Sequence, residues 1–539
     1  MVKINARRNV RHDSRSSGNS TSDDHYHYEI FGSGESDLSE DEHFFDDRQH
    51  QLSYTYASGS SVSVETVNFR ESMARVEAAP LLGSAQPPYK TITHNPDPTN
   101  TIYEYKKNID NSIKVDSKKQ SSLVTIFSVW NTVMGSSLLT MAWGVERAGL
   151  PAALVLVAFM SALCLYTAYV LLRVNKHHGT VTCEVPALCL SLLGPWAARV
   201  AHGFSLLVLL GANVVYWILI TNFLYFTVNY LADLSSPNAT YPTALLCPKQ
   251  AGINGSLLIP EPHDSSYWGL HTTVPFYVAL LVFPLLNFSN VSFFTKFNSL
   301  GTLSVVYLLI FVIVKGWGWG VNVAPTPGEV PASTDAAVLS GMLALSFYIH
   351  NIIITIMSNN ERQEKNGRDL TIAFVLVTMT YLLVGAVFYI CFPLAKSCIE
   401  DNILNNFEMH DTMTAVARAL LLFQVITVYP LVAYMLRSEA LLLLPISNAN
   451  KARMKFTIGI NIVIVAMCVT VACLCPNIGT IIRYTGAVSG LVHVFALPSI
   501  LQVRSLQLRG KLTYWKLLLY FLIVAFGVVN LVMQFFIKE

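Results

Sequence analysis

The sequence predicts an all-α membrane protein of about eleven transmembrane helices. Three observations carry that prediction. The chain is 53% hydrophobic yet only 13% charged, whereas soluble domains carry about 25% charged residues. Its mean hydropathy is +0.45. Beyond Ser117, apolar runs of about twenty residues follow one another, the length a lipid bilayer requires. A soluble core has no means of covering so much apolar surface, and lipid does.

The spans read from these runs are 121–146, 150–173, 200–230, 273–290, 299–319, 336–358, 369–394, 412–436, 454–475, 478–502 and 514–536. Hydrocarbon offers no partner to a peptide N–H or C=O, so each run must pair its own backbone as a helix. Residues 1–118 differ in kind. They are polar, rich in Ser, Asp, His and Pro, and hold no helical or strand period. Such a composition buries too little apolar surface to offset the entropy of ordering, so a disordered tail is expected. No signal-peptide pattern precedes it, so the first hydrophobic helix is expected to direct insertion and leave the tail in the cytosol.

Charge supports that orientation. With a cytosolic tail, the inner loops hold about fifteen Lys and Arg, among them Arg173, Arg199, Lys296, Arg362, Arg437 and Arg509. The opposite face holds about five: Arg147, Lys249, Lys315, Lys396 and Lys538. Cytosolic loops are the positive ones. The outer loop 231–272 carries the sequons at Asn238 and Asn254, which need a luminal face to be glycosylated. Cys247 and Cys398 fall on that same oxidising side, where a disulfide is one reading and two separate thiols the other.

Several function classes drop out. The net charge of +2 leaves no nucleic-acid footprint. The nine cysteines form no CxxC pair and no Cys/His cluster of metal-binding spacing. No nucleophile elbow, HExxH pair or buried carboxylate pair marks an enzyme. Transport is the default for so large a bundle, and a substrate site is best sought where a helix is interrupted. An interruption frees N–H groups for a carboxylate and carbonyls for an ammonium or sodium.

The first span offers such a place at Asn131, Thr132, Val133, Met134, Gly135, Ser136 and Ser137. Gly135 weakens a helix, and the serines re-satisfy freed backbone groups. The same residues also suit a small-residue packing patch. The sixth span carries His350 and Asn351, which are costly in lipid and should face the bundle or a cavity. His350 reads either as a satisfied structural histidine or as a proton-responsive group. In the eighth span, Thr427 reads either as a sodium ligand beside the first helix or as a hydroxyl bonded to its own helix.

The stretches WNTVMGSSLL, VPFYVALLVFPLLNF, FYIHNIIITIMSNNERQEKNGRDL, LLFQVITVYPL and CPNIGTIIRYTGAVSGL together resemble the amino acid/auxin permease superfamily. Within it they resemble the sodium-coupled neutral amino acid transporters, and most of all their lysosomal, arginine-sensing branch. The resemblance covers nearly all of 121–537. It implies a leucine-symporter-like fold, an inverted five-helix repeat plus one extra helix. It implies a substrate backbone lying along Asn131 to Ser137, with Ser136 where that branch has a threonine important for transport. It also implies a sodium site, with Thr427 and Asn131 as its ligands, and pairing of Cys247 with Cys398. Ala142 departs from the pattern, which has proline there. In that branch the cytosolic tail docks Rag GTPases and Ragulator and reports amino-acid supply upstream of TORC1. The tail of this chain has its own sequence, so the signalling implication carries over less well than transport.

Glu77, Leu81 and Leu82 in EAAPLL form an acidic dileucine pattern. With the resemblance, it points to the lysosomal or late endosomal membrane. The expectation is a transporter exporting arginine or neutral amino acids from lumen to cytosol, coupled to sodium or protons. The rival expectation is an amino-acid sensor whose tail binds Rag/Ragulator-type partners.

Overall fold

The computed structural model describes residues 119–179, 184–234, 245–247, 267–287, 301–322, 335–443 and 450–537. The tail 1–118 with Glu77, Leu81 and Leu82, and the sequons at Asn238 and Asn254, lie outside these residues. The described residues are nearly all helical. Gln120–Asn360 and Leu245–Phe407 form the isolated β-bridges.

Eight helices among them are long and apolar enough to cross a membrane, one bent pair passes together, and two shorter apolar helices complete the set. These correspond one to one with the eleven expected spans. The first is α1 (Ser122–Val133) with α2 (Ser137–Ala148), bent by 63°. There follow α3 (Leu150–His178), the short α4 (Val185–Leu193), α5 (Pro195–Leu234), α6 (Val274–Leu286) and α7 (Gly301–Trp319). The sixth span is again divided, into α8 (Ala336–Ser346) and α9 (Ile353–Ser358). After it come α10 (Asn366–Leu382), α11 (Phe388–Cys391) and α12 (Thr412–Leu443). The chain ends with α13 (Asn450–Leu474), α14 (Ile478–Gly490), α15 (Leu497–Leu508) and α16 (Tyr514–Gln534). The interruption of the first span recurs five spans later, the spacing a five-helix repeat demands.

Local chemistry accounts for several boundaries. Gly149, at φ 75°, takes the left-handed turn between α2 and α3, and Pro151 then sits in the first turn of α3, where its missing N–H costs nothing. The helix α4 was not among the expected elements: nine residues are too few to span, and its packing against α5 holds it. Wide π turns at Leu383–Val387 and Leu491–Ala496 join α10 to α11 and α14 to α15, so spans read as uniform helices contain a local widening.

Helix association in a bilayer rests on close packing rather than on hydrophobic exclusion of water. The contact of α8 with α14 shows how close that packing becomes. A Cβ placed on Gly486 would lie 2.2 Å from the carbonyl oxygen of Gly341, and one on Gly341 would lie 2.9 Å from that of Arg483. On α2, Met141 and Val145 meet another such place: a Cβ on Gly385 would stand 3.1 Å from Val145 and 3.2 Å from Met141. Glycine at these places lets backbones touch.

At one end of the bundle Cys247 and Cys398 are joined in a disulfide that closes a separation of 151 residues. Asp411 lies in the same region and caps α12, accepting from Thr414 N at 2.9 Å. Its other oxygen accepts from Lys315 Nζ of α7 at 2.6 Å. Burial pushes the Asp411 carboxyl up, but the hydrogen bonds from Lys315 and Thr414 outweigh it and hold the group below the ordinary carboxylate range. Arg418, about two turns further on, is buried. It donates to the Leu404 and Phe407 carbonyls at 2.8 and 3.1 Å and lies over the Phe226 ring at 4.2 Å.

Two outcomes follow. Gly486→Val should force α8 and α14 apart and destabilise the purified protein by about 3 kcal/mol or more, read as a fall in its thermal unfolding midpoint. Asp411→Asn keeps the cap but removes the charge. Because the folded carboxyl titrates below the unfolded one, the lost stabilisation is present at neutral pH and disappears as pH falls through the folded value. The variant should lie about 0.5–1 kcal/mol below the parent at pH 7, and the gap should close as pH falls through the titration of the folded carboxyl.

Candidate substrate-binding site

The first interruption is built by the residues expected to form it. The last hydrogen bond of α1 runs from Met134 N to the Trp130 carbonyl at 2.9 Å. The first of α2 run from Leu138 N to Gly135 O and from Leu139 N to Ser136 O, each 3.2 Å. Between them the amides of Gly135, Ser136 and Ser137 make no hydrogen bond among the described residues. The break therefore presents three N–H groups at the positive end of α2 and carbonyls at the negative end of α1.

The side chains divide by direction. Asn131 Oδ1 accepts from Thr302 Oγ1 of α7 at 3.1 Å. Thr132 is exposed, and its hydroxyl donates to the Ser128 carbonyl at 2.7 Å. Val133 and Met134 are buried, while Gly135 and Ser136 are half-buried. A Cβ on Gly135 would stand 3.5 Å from the Tyr216 hydroxyl, which places α5 against the break. Ser137 Oγ lies 3.3 Å from the Tyr381 hydroxyl. Ala142 is buried inside α2, which runs through it unbroken.

The sixth span opens at Ser346. Phe347 N and Tyr348 N still bond back to Leu343 O and Leu345 O, and Ile352 N reaches Ile349 O, but His350 N makes no bond to Ser346 O. His350 is fully buried and turns to α3, its Nε2 2.9 Å from Thr167 Oγ1. The Thr167 hydroxyl proton is already directed at the Leu163 and Cys164 carbonyls, at 3.1 and 3.2 Å. His350 Nε2 is therefore the donor of that pair, and its Nδ1 has no partner. Asn351 is half-buried in the same turn.

The two interruptions meet at Tyr381, on α10. Its hydroxyl is 3.1 Å from the Val133 carbonyl and 2.8 Å from the Ser346 carbonyl. Beside it, Trp130 Nε1 donates to Thr380 Oγ1 at 3.1 Å. Neither Thr380, Tyr381, Tyr216 nor Thr302 stood out in the sequence. The one signal available was a polar Thr-Tyr pair in the middle of an apolar span. Thr302, Thr380, Tyr216 and Tyr381 are all neutral, so the break offers a substrate dipoles and hydroxyls rather than charge.

Thr427 lies on α12, and its hydroxyl donates to the Phe423 and Gln424 carbonyls at 3.1 and 2.8 Å. Its proton is thus spent on its own helix, while the oxygen's remaining lone pairs stay available to a cation. A cavity of ≈ 160 Å³ opens toward the disulfide-bearing end. It is lined by Ile218 and Thr221 of α5, which follow Tyr216 within about two turns, and by Glu400, Asp401, Asn405 and Asn477.

The chain is similar to the sodium-coupled neutral amino acid transporter 9 homolog of Caenorhabditis elegans, 38% identical over 465 residues, 79% of this chain and 75% of the other. It is similar to neutral amino acid transporter 9 of Rattus norvegicus, 40% identical over 450 residues (78% and 80%), and to that of Danio rerio, 39% over 447 residues (78% and 81%). Residues 118–537 match the family of transmembrane amino acid transporter proteins, and the chain belongs to that family.

Proposed function

We propose that the protein is a secondary active transporter that carries amino acids from the lumen of lysosomes or late endosomes to the cytosol. The observation that carries this reading is the pair of interrupted helices, with amides at Gly135–Ser137 and carbonyls at Val133 and Ser346 released from their helical bonds. A zwitterion fits that polarity. Its carboxylate takes the three amides at the start of α2, and its ammonium takes the carbonyls at the ends of α1 and α8. Because the surrounding groups are neutral, side-chain recognition rests on hydroxyls, amides and aromatic faces, which suits neutral amino acids and leaves arginine within reach.

Sodium enters as a co-substrate. Relatives bear names that include sodium coupling, and the free lone pairs of Thr427 together with carbonyls of α1 near Asn131 supply hard oxygen ligands of the kind a small cation takes. The orientation expected from loop charge puts the disulfide and the 160 Å³ cavity on the luminal face, as an entrance above the site. Lysosomal address rests on the Glu77–Leu81–Leu82 pattern and on the resemblance to the lysosomal branch. A reporting role toward Rag/Ragulator-type partners would be carried by the tail.

Two measurements test the reading. Ser136→Trp should fill the interruption and lower uptake of a radiolabelled L-amino-acid mixture into proteoliposomes by more than about tenfold. Undiminished uptake by well-folded variant would move the site elsewhere. Thr427→Val should raise the sodium concentration for half-maximal uptake several-fold, by removing one oxygen ligand, while uptake at saturating sodium largely survives. An unchanged sodium dependence would take Thr427 out of the ion site.

A further inference from the structure

In an unbroken helix the carbonyl of Val133 would accept from Ser137 N, and that of Ser346 from His350 N. Neither bond forms. Both orphaned carbonyls instead converge on one atom, the hydroxyl oxygen of Tyr381, at 3.1 and 2.8 Å. Ser137 Oγ approaches the same atom at 3.3 Å. Tyr381 is 1% exposed, and its ring is held edge-on against Phe347 with centroids 5.4 Å apart. The widened turn at Leu383–Val387 follows directly, pressed against Met141 and Val145 of α2 at Gly385. The ring is thus held by packing, and its hydroxyl is the point at which the two interrupted spans meet.

A phenol carries one proton. Between two carbonyls it can satisfy one, and in a dry interior the other is left short of a donor. We propose that Tyr381 is a specificity-determining residue of the substrate site, whose hydroxyl stands between the two carbonyls in the place of the substrate's ammonium and becomes its third acceptor as the interrupted spans part to admit it. This assignment rests on the reading of the interrupted helices as an amino-acid site. An ammonium with three N–H groups donates to Val133 O, Ser346 O and the Tyr381 oxygen together. The phenol proton is then released from the carbonyls and is free to turn to Ser137 Oγ. A secondary ammonium has one N–H fewer and leaves one of the three acceptors unmet. The site therefore selects primary amines over their N-methylated counterparts by counting donors.

The test uses the full-length protein in detergent, with thermal stabilisation by added ligand as the measure of binding. A panel of the twenty L-amino acids identifies the strongest stabiliser, which is then compared with its own N-methyl derivative. The wild type should bind the N-methyl compound about tenfold more weakly, the worth of one hydrogen bond to a charged group. Tyr381→Phe keeps the ring against Phe347 and should weaken the primary amine about tenfold while changing the N-methyl compound little, so the two affinities converge. Thr378→Val, about one turn back on α10 and bonded to Ser161 instead, should keep the wild-type ratio. A wild-type ratio near one, or a full ratio retained in Tyr381→Phe, overturns the assignment. If Tyr381→Phe is not recovered folded, the wild-type comparison still decides: equal binding of the two ligands overturns it. Amino acids that stabilise the protein but are not taken up by proteoliposomes would remove the transport reading and leave the tyrosine's role standing. No stabilisation by any amino acid removes both.

Discussion

In hydrocarbon a peptide group without a partner is expensive, and the organisation of this protein follows from where it leaves such groups and what it sets beside them. Two spans give up their hydrogen-bond ladder, at Val133–Ser137 and after Ser346. Each could persist only if neighbours supplied polar contacts. Tyr381 does so for both at once, Thr302 meets Asn131, and Thr380 receives the Trp130 indole. The incomplete satisfaction that remains is useful. Amides and carbonyls that no side chain completes are the groups a zwitterion can complete.

The same constraint separates rigid from adjustable parts. Where α8 meets α14, glycines bring backbones within contact, and that seam has no room to slide without cost. At the disulfide-bearing end, Asp411 caps α12 and pairs with Lys315, and Arg418 is tied to two carbonyls of the segment that carries Cys398. The interrupted spans, in contrast, are linked through one hydroxyl on α10. Ligand binding at that point would exchange a phenol hydrogen bond for those of an ammonium, coupling occupancy of the site to the relation between the two interrupted spans.

The eleven spans were legible because a bilayer imposes a length and an apolar composition that few other environments would select. Gly135-Ser136-Ser137 was legible as a break because glycine and serine in mid-span are poor helix formers in the one environment that punishes loose backbone. The fates of His350 and Thr427 were not. Each had two readings of comparable weight, and the difference lies in which neighbour the side chain faces. His350 turns to Thr167 on another helix, and Thr427 spends its proton on its own. The sequence carries no record of such choices.

The sequence by itself determined the class of molecule and the number of spans, since each follows from local composition against a uniform solvent, and it marked Gly135–Ser137 and His350–Asn351 as the polar places within them. Only the tertiary structure decided that the interruptions share a partner. Tyr381 is 248 residues from Val133 and 35 from Ser346 along the chain. Its role arises from the convergence of three helices on one oxygen, a property of packing that no local pattern encodes.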